Sequence, residues 1–269
     1  MKSSFLKWQQ TIQVCWTKYT TYRLNFLLQV IGPALVFFFI KFQLWSAIFA
    51  GSESGAVVKI GNYDLNAMLT YHGYALIVGL LTQGHAAMNL AEDIRMGRIS
   101  TYLIYPFNFW EFHTANFVAF QLLQILITAL TLGAFALTGL IALPSLSVIL
   151  AGYLFCLVVS CFWFSMQFFT GLLGFWLEET WILRVMLQLL ATFLSGSIIP
   201  IDLFPAWAQK ILDFTPFPYL TYYPIKLFTN GEHFFAQGYL MIILWTFVFI
   251  FINRFIWRRG IRLYTAAGM

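Results

Sequence analysis

Long apolar runs alternate with short polar segments along almost the whole chain. A helix that crosses a bilayer needs about 20 apolar residues, and six runs reach that length. They predict spanning helices at about 24–47, 66–90, 112–141, 147–174, 182–201 and 238–257. Gly32-Pro33 lies inside the first run, where we expect a kink. The pattern predicts an all-α integral membrane protein with six transmembrane helices in one domain, residues 1–269.

Composition supports this interpretation. The chain is 61% hydrophobic and only 9% charged, whereas a soluble domain carries about 25% charged residues. A soluble fold of this size could not bury so much apolar surface. The net charge is +5, but the basic residues do not form one patch among aromatic residues. Nucleic acid is therefore not an expected partner.

Basic residues fall mainly on one side of the predicted membrane, and cytoplasmic loops are the ones enriched in Lys and Arg. Lys59, Lys210 and Lys226 lie on the other side, and Lys41 is expected near the outer end of the first span, where its side chain can snorkel. The bias predicts a multi-pass protein of the cell inner (plasma) membrane with both termini in the cytoplasm. The cytoplasmic set is Lys2, Lys7, Lys18, Arg23, Arg95, Arg98, Arg184, Arg254, Arg258, Arg259 and Arg262.

The first 22 residues carry a different pattern. Apolar residues recur there at helical spacing among lysines and glutamines, which predicts an amphipathic helix over 1–22, lying in the membrane interface with its lysines near anionic lipid head groups. A frayed tail is the alternative. The apolar positions are Phe5, Trp8, Ile12, Cys15 and Tyr19.

Several kinds of chemistry have no signal in the sequence. There is no G-x-x-x-x-G-K-[ST] loop to cradle ATP phosphates and no H-E-x-x-H or Cys/His cluster, so we expect no bound cofactor, no metal and no catalytic residue. No carboxylate lies deep in a predicted span, which argues against a proton-linked carrier. His85 keeps that alternative open.

A compact charged segment, Glu92–Pro106, interrupts the apolar pattern between the second and third spans. Glu92 and Asp93 suit the start of a short helix, where the helix dipole favours anions. Gly97 allows close approach, and Pro106 ends the helix. We predict a helix within 92–108 that either docks into a soluble partner or only reverses the chain.

Residues 200–232, between the fifth and sixth spans, contain five prolines, which exclude one continuous helix. The apolar positions Phe204, Trp207, Ile211 and Phe214 predict a short amphipathic helix that dips into the outer leaflet. An ordinary interfacial loop is the alternative.

Polar residues form stripes on four predicted spans, and the stripe at the inner end of the second span, His85 and Asn89, is expected to hydrogen-bond to another helix. Interhelical hydrogen bonding is the preferred interpretation for the stripe on the third span, Gln121, Gln124, Thr128 and Thr131. For the first and fifth spans, the same interpretation competes with a role in lining a path. The residues concerned are Asn25, Gln29, Arg184, Gln188, Thr192 and Ser195.

Two segments resemble one family. E-D-I-R-x-G-R-I-x-x-Y-L-I-Y-P, at Glu92–Pro106, and the proline-rich stretch Leu194–Pro224 resemble the first cytoplasmic loop and the outer re-entrant helices of type-2 (export class) ABC transporter permeases. The resemblance implies six spans, an interfacial N-terminal helix, and a coupling helix that seats in an ATPase subunit. It also implies two ATPase subunits, which bind ATP and Mg, and a second permease that is identical or homologous.

Carried onto this chain, the resemblance implies two sets of functional residues. The predicted ATPase-coupling residues are Glu92, Asp93, Arg95, Gly97, Arg98, Glu178 and Glu179. The predicted path residues are Asn25, Gln29, Gln188, Thr192 and Ser195. The rival functions are a membrane enzyme acting on lipids, which would use His113 with Glu111 or His85, and a proton-linked carrier using His85.

Overall fold

A computed structural model describes residues 2–50, 59–83, 90–104, 108–231 and 235–264. Within these ranges the regular structure is helical, with one isolated β-bridge between Ile60 and Tyr63. The predicted all-α class is confirmed. The helices are α1 Lys2–Thr21, α2 Arg23–Ala50, α3 Leu65–Thr82, α4 Leu90–Arg95, α5 Ile99–Ile104, α6 Phe109–Leu137, α7 Leu146–Leu172, α8 Trp181–Leu194, α9 Ala206–Leu212, α10 Tyr222–Asn230 and α11 Ala236–Leu263.

In the described part of the chain, five helices are long and apolar enough to cross a membrane: α2 from Val30 onward, α3, α6, α7 and α11. They correspond to the first four predicted spans and the sixth. α2 runs on through Pro33 without interruption.

The fifth predicted span is shorter than the sequence indicated. α8 has 14 residues, or about 21 Å of helix, whereas the hydrocarbon core is about 30 Å thick. The predicted extent to residue 201 is wrong because Gly196 adopts φ +80°, a left-handed conformation that ends the helix.

The core is built around α3 and α7. Residues 71–78 of α3 are buried on every side, and α7 packs against α3, α10 and α11. The ring of Phe228 lies so close to Gly152 on α7 that a Cβ there would come within 2.4 Å of it. These contacts make α3 and α7 the rigid centre of the molecule.

The N-terminal segment is a helix that packs on the rest of the protein. Cys15 is buried, and the Tyr19 hydroxyl donates to Asn116 Oδ1 on α6 at 3.0 Å. The Tyr19 and Phe120 rings meet edge to face, with centroids 5.5 Å apart. The frayed-tail alternative does not hold for Lys2–Thr21.

The charged segment predicted as one helix is two. Gly97 adopts φ +71° and separates α4 from α5. Its N–H donates to Ile94 O at 3.2 Å, and the Arg98 N–H donates to Asp93 O at 2.9 Å, which is the hydrogen-bond pattern of a Schellman turn. The sequence predicts that Gly97 allows close approach to a partner. In the structure Gly97 also has a conformational role, because it reverses the chain between two helices.

The segment 200–232 is broken as its prolines require. Short 3-10 turns at Ile201–Leu203 and Pro218–Leu220 alternate with α9 and α10. The predicted amphipathic helix corresponds to α9, on which Trp207 and Ile211 are exposed.

Candidate functional site

The charged segment is seated on the end of α7 by small residues. The fully buried Leu90 of α4 lies against Gly171, where a Cβ would come within 2.4 Å of the leucine side chain. Gly174, just beyond α7, would place a Cβ 3.1 Å from the backbone of Ala91. Because no side chain separates these surfaces, α4 packs directly on the central helix.

Arg98 and Asp93 form the internal support of the turn between α4 and α5. Only 8% of the Asp93 side chain is exposed, and Arg98 donates to its Oδ1 at 2.9 Å. His113 Nε2 lies 3.6 Å from the other carboxylate oxygen. Burial raises the pKa of the Asp93 carboxyl, and the Arg98 guanidinium only partly offsets this. Asp93 therefore lies inside the turn, where it supports the residues around it.

Arg95 joins the two segments that were predicted to contact an ATPase. It donates to Glu179 Oε1 at 2.8 Å and to the Glu178 backbone oxygen at 3.3 Å, and both side chains of the ion pair are exposed. An exposed ion pair contributes at most about 1 kcal/mol to stability, so this pair shapes a surface more than it stabilises the fold. We call the exposed set the α4 surface; it comprises Glu92, Arg95, Met96, Arg98, Glu178 and Glu179.

Tyr264, which the sequence analysis did not identify, anchors the same turn from the end of α11. Its hydroxyl donates to Gly97 O at 2.7 Å, and the Ser100 and Tyr264 hydroxyls lie 3.1 Å apart. The Ser100 hydroxyl also hydrogen-bonds to Gly97 O. No local pattern signals a contact between residues 167 positions apart, so only the tertiary structure reveals it.

A side-chain hydrogen bond joins one of the predicted path residues of α8 to the end of α3. Gln188 Nε2 donates to Oε1 of Gln83, the residue that caps α3, at 2.8 Å. Thr192 donates to Gln188 O in its own helix. Ser195 is fully buried, and its Oγ has no hydrogen-bond partner among the described residues. Gln83 was not identified from the sequence.

The remaining polar residues of interest are only partly described. Asn25 is exposed near the start of α2. The side chain of Gln29, together with His85 and Asn89, lies outside the described part of the structure. The role of Asn25 and Gln29 as path residues stays a prediction.

An ionic cluster occupies the opposite end of the molecule from the α4 surface. Lys226 donates to Asp202 Oδ2 at 2.9 Å, and so does the Tyr63 hydroxyl. Burial, followed by the hydrogen bond to Asp202, raises the pKa of Tyr63. The cluster joins the 59–64 loop to the segment 200–232.

The pair proposed for a lipid enzyme is not arranged as a catalytic dyad. His113 is buried among aromatic rings, with the Phe109 ring centroid 4.5 Å away. The Glu111 carboxylate accepts a hydrogen bond from the Asn108 backbone N–H at 3.1 Å and so caps α6. Among the described residues, no three His, Cys, Asp or Glu side chains are grouped so that they could hold a metal ion.

Comparison with known proteins gives a family. A search of curated proteins found no match. A family model does match, over residues 35–268, and its description is "ABC-2 family transporter protein". That range contains the five long apolar helices from Val30 onward almost entirely, together with the α4 surface and the cluster at the opposite end. The chain therefore belongs to the ABC-2 transporter family and is a multi-pass membrane component of a transporter.

Proposed function

We propose that this chain is the transmembrane subunit of an ATP-driven exporter and that its α4 surface docks on a separate ATPase subunit. The observation that carries the proposal is the Arg95–Glu179 ion pair, which joins the last residue of α4 to the loop before α8 in one exposed charged surface. This surface lies at the end of the central helices. A partner that pushes on it acts directly on the core.

The packing supports a mechanical role for the charged segment that contains α4 and α5. Leu90 fits against Gly171, Tyr264 anchors Gly97, and α5 leads into α6. A close-packed core transmits a displacement as a rigid-body shift. ATP and Mg would bind to the partner, since this chain has no phosphate-binding loop.

The second element of the proposal is a pair of permeases with two ATPase subunits. α2 and α8 present large apolar surfaces, with Phe37, Phe39, Leu189 and Phe193 among the exposed residues. A second, identical or homologous permease on these faces would bring the partly exposed Gln188 and Thr192 close to Asn25 and Gln29 of its partner, while Ser195 is buried within its own chain. For identical copies, a two-fold axis is the default.

We further propose six spans in the inner (plasma) membrane, with α8 and the residues after it forming the fifth, re-entrant helices in 200–232 and cytoplasmic termini. The Tyr264–Gly97 hydrogen bond supports this orientation because it brings the basic end of α11 to the same end of the molecule as Arg95 and Arg98. That end then carries the excess of positive charge expected of a cytoplasmic face.

The test is co-purification from native membranes with a protein that contains the G-x-x-x-x-G-K-[ST] sequence. Arg95→Glu should lower the recovered ATPase by roughly tenfold or more, because like charges brought together at an interface cost several kcal/mol. Lys210→Glu, on exposed α9 at the opposite end, is the matched control and should leave the amount of recovered ATPase unchanged.

A charge swap separates docking from internal support. If Arg95 acts only by binding Glu179, then Arg95→Glu combined with Glu179→Arg restores the complex. If Arg95 contacts the ATPase, the swap stays defective. If Arg95→Glu and the swap both co-purify as much ATPase as the unchanged chain does, the proposed docking surface is contradicted.

A further inference from the structure

The turn that ends α8 leaves backbone carbonyl groups without helical partners, and in the topology proposed above this turn lies within the membrane. The last carbonyls of any helix lack intrahelical donors, and a membrane offers no water to replace them. Here Ser195 caps α8, and Gly196 turns the chain with φ +80°.

Three successive carbonyls of this turn are satisfied by three different helices. Ser195 O accepts from the Tyr222 N–H of α10 at 3.0 Å. Gly196 O accepts from the Tyr71 hydroxyl of α3 at 2.7 Å. Ser197 O accepts from the ammonium group of Lys41 on α2, also at 2.7 Å. The turn is therefore held between α2, α3 and α10.

Lys41 is the charged member of this set, and its position is unusual. It lies within the apolar part of α2, about 13 Å of helix before Ala50. An ammonium group at such depth is costly unless it is paired, and an intramembrane charge commonly marks a functional position. The negative end of the α8 dipole favours a cation at this place. Instead of snorkelling to the interface as expected, Lys41 binds the turn.

The same part of α2 is also held against α3. The Trp45 ring, one helical turn after Lys41, stacks on His72 with centroids 5.9 Å apart. Towards its N-terminal end, α2 is largely exposed. A movement of α2 away from α8 therefore has to break the Lys41–Ser197 hydrogen bond.

We propose that Lys41 is a positioning residue that holds α2 against the end of α8 and so keeps the outer side of the substrate path closed between transport cycles. The inference rests on the proposed transport function. The buried Ser195 lies directly beside the turn, so its exposure to water reports whether the turn is closed.

The experiment places a reporter thiol at this position. In Ser195→Cys the new thiol replaces a hydroxyl that has no hydrogen-bond partner among the described residues, so the exchange disturbs little. A small membrane-impermeant thiol reagent is added from the side that labels Lys59→Cys, and labelling of the parent chain, which carries the native cysteines, is subtracted.

With Lys41 intact we expect slow labelling of Ser195→Cys. Adding Lys41→Met should raise the labelling rate at least fivefold. Lys41→Arg keeps a charged donor, so its labelling rate should stay close to that measured with Lys41. Ser197→Ala should have no effect, because the short contact is to the backbone carbonyl and only a longer one, 3.4 Å, is to the hydroxyl.

If Ser195→Cys is labelled at the same rate with Lys41 and with Lys41→Met, the proposal is overturned. It is also overturned if Ser197→Ala raises the labelling rate as much as Lys41→Met does. If Lys41→Met does not accumulate in membranes, the neutral but still polar Lys41→Gln makes the same comparison. The assay needs no ATPase, so its failure alone overturns the role of Lys41, whereas failed co-purification alone overturns the docking proposal.

Discussion

At the scale of single residues, the turn after α4 shows how tertiary contacts fix a local conformation. Gly97 supplies the left-handed backbone, Arg98 binds the buried Asp93, and Tyr264 binds the Gly97 carbonyl. The backbone N–H groups of Gly97 and Arg98 also satisfy two of the last carbonyls of α4, those of Ile94 and Asp93. The exposed Arg95 is then held at a defined place on the surface.

This arrangement predicts that a methyl group added at Gly97 destabilises the fold. Gly97→Ala should lower the free energy of unfolding by about 1 to 2 kcal/mol, since a side chain disfavours the left-handed region. It should also weaken ATPase binding. Gly133→Ala is the control, because nothing lies within 4 Å of a Cβ at that position of α6. Thermal unfolding in detergent measures both variants, and equal midpoints would contradict the role given to Gly97.

At the scale of elements, polar stripes on helices have different uses. On α6 the predicted interhelical bonding is confirmed, because Gln121 donates to Leu81 O at 2.8 Å and Tyr153 of α7 donates to Thr128 Oγ1 at 3.2 Å. On α8, Gln188 makes a side-chain bond to Gln83 at the end of α3. Half of the α8 residues are exposed in the single chain, and Gln188 and Thr192 are partly exposed, which leaves these two residues accessible to a path.

The two interpretations of the α8 stripe predict opposite results for Gln188→Leu. The lost bond to Gln83 should cost only about 0.6 kcal/mol, the average for such contacts in membranes, while export should fall severalfold. Phe251→Leu, on the exposed apolar side of α11, is the control and should leave export near normal. A clear loss of thermal stability with unchanged export would show that Gln188 only joins α8 to α3.

At the scale of the whole molecule, charge and apolar surface are separated along the helices. The α4 surface and the basic end of α11 share one end, and the Asp202–Lys226 cluster lies at the other. α2 and α8 leave their apolar faces uncovered. This distribution suits a subunit with lipid or another permease around it and a charged partner at one end.

Sidedness can be measured directly with three exposed positions. Lys59→Cys should react with an impermeant thiol reagent in intact cells, because Lys59 lies on the side with few basic residues. Arg259→Cys should react only after the cells are opened. Lys210→Cys should behave like Lys59→Cys. Labelling of Lys59→Cys and Arg259→Cys from the same side would contradict the proposed topology.

The sequence by itself determined the class of the protein and the order of its helices. Apolar runs of spanning length have few alternatives to a helix in a bilayer, because every backbone group must be paired within the protein. Prolines placed the breaks in 200–232, and the spacing of apolar residues located α1 and α9. These features depend on neighbours along the chain, so a local pattern is sufficient to identify them.

The tertiary structure alone decided where α8 ends, why the charged segment is two helices, and which polar residues meet. Gly97 and Gly196 could each have continued a helix; contacts from Tyr264 and Tyr71 hold them in the turn conformation. Arg95 and Glu179 are 84 positions apart, and Lys41 and Ser197 are 156 apart. Such pairs depend on how the helices pack around α3 and α7, and helix packing is a property of the whole fold.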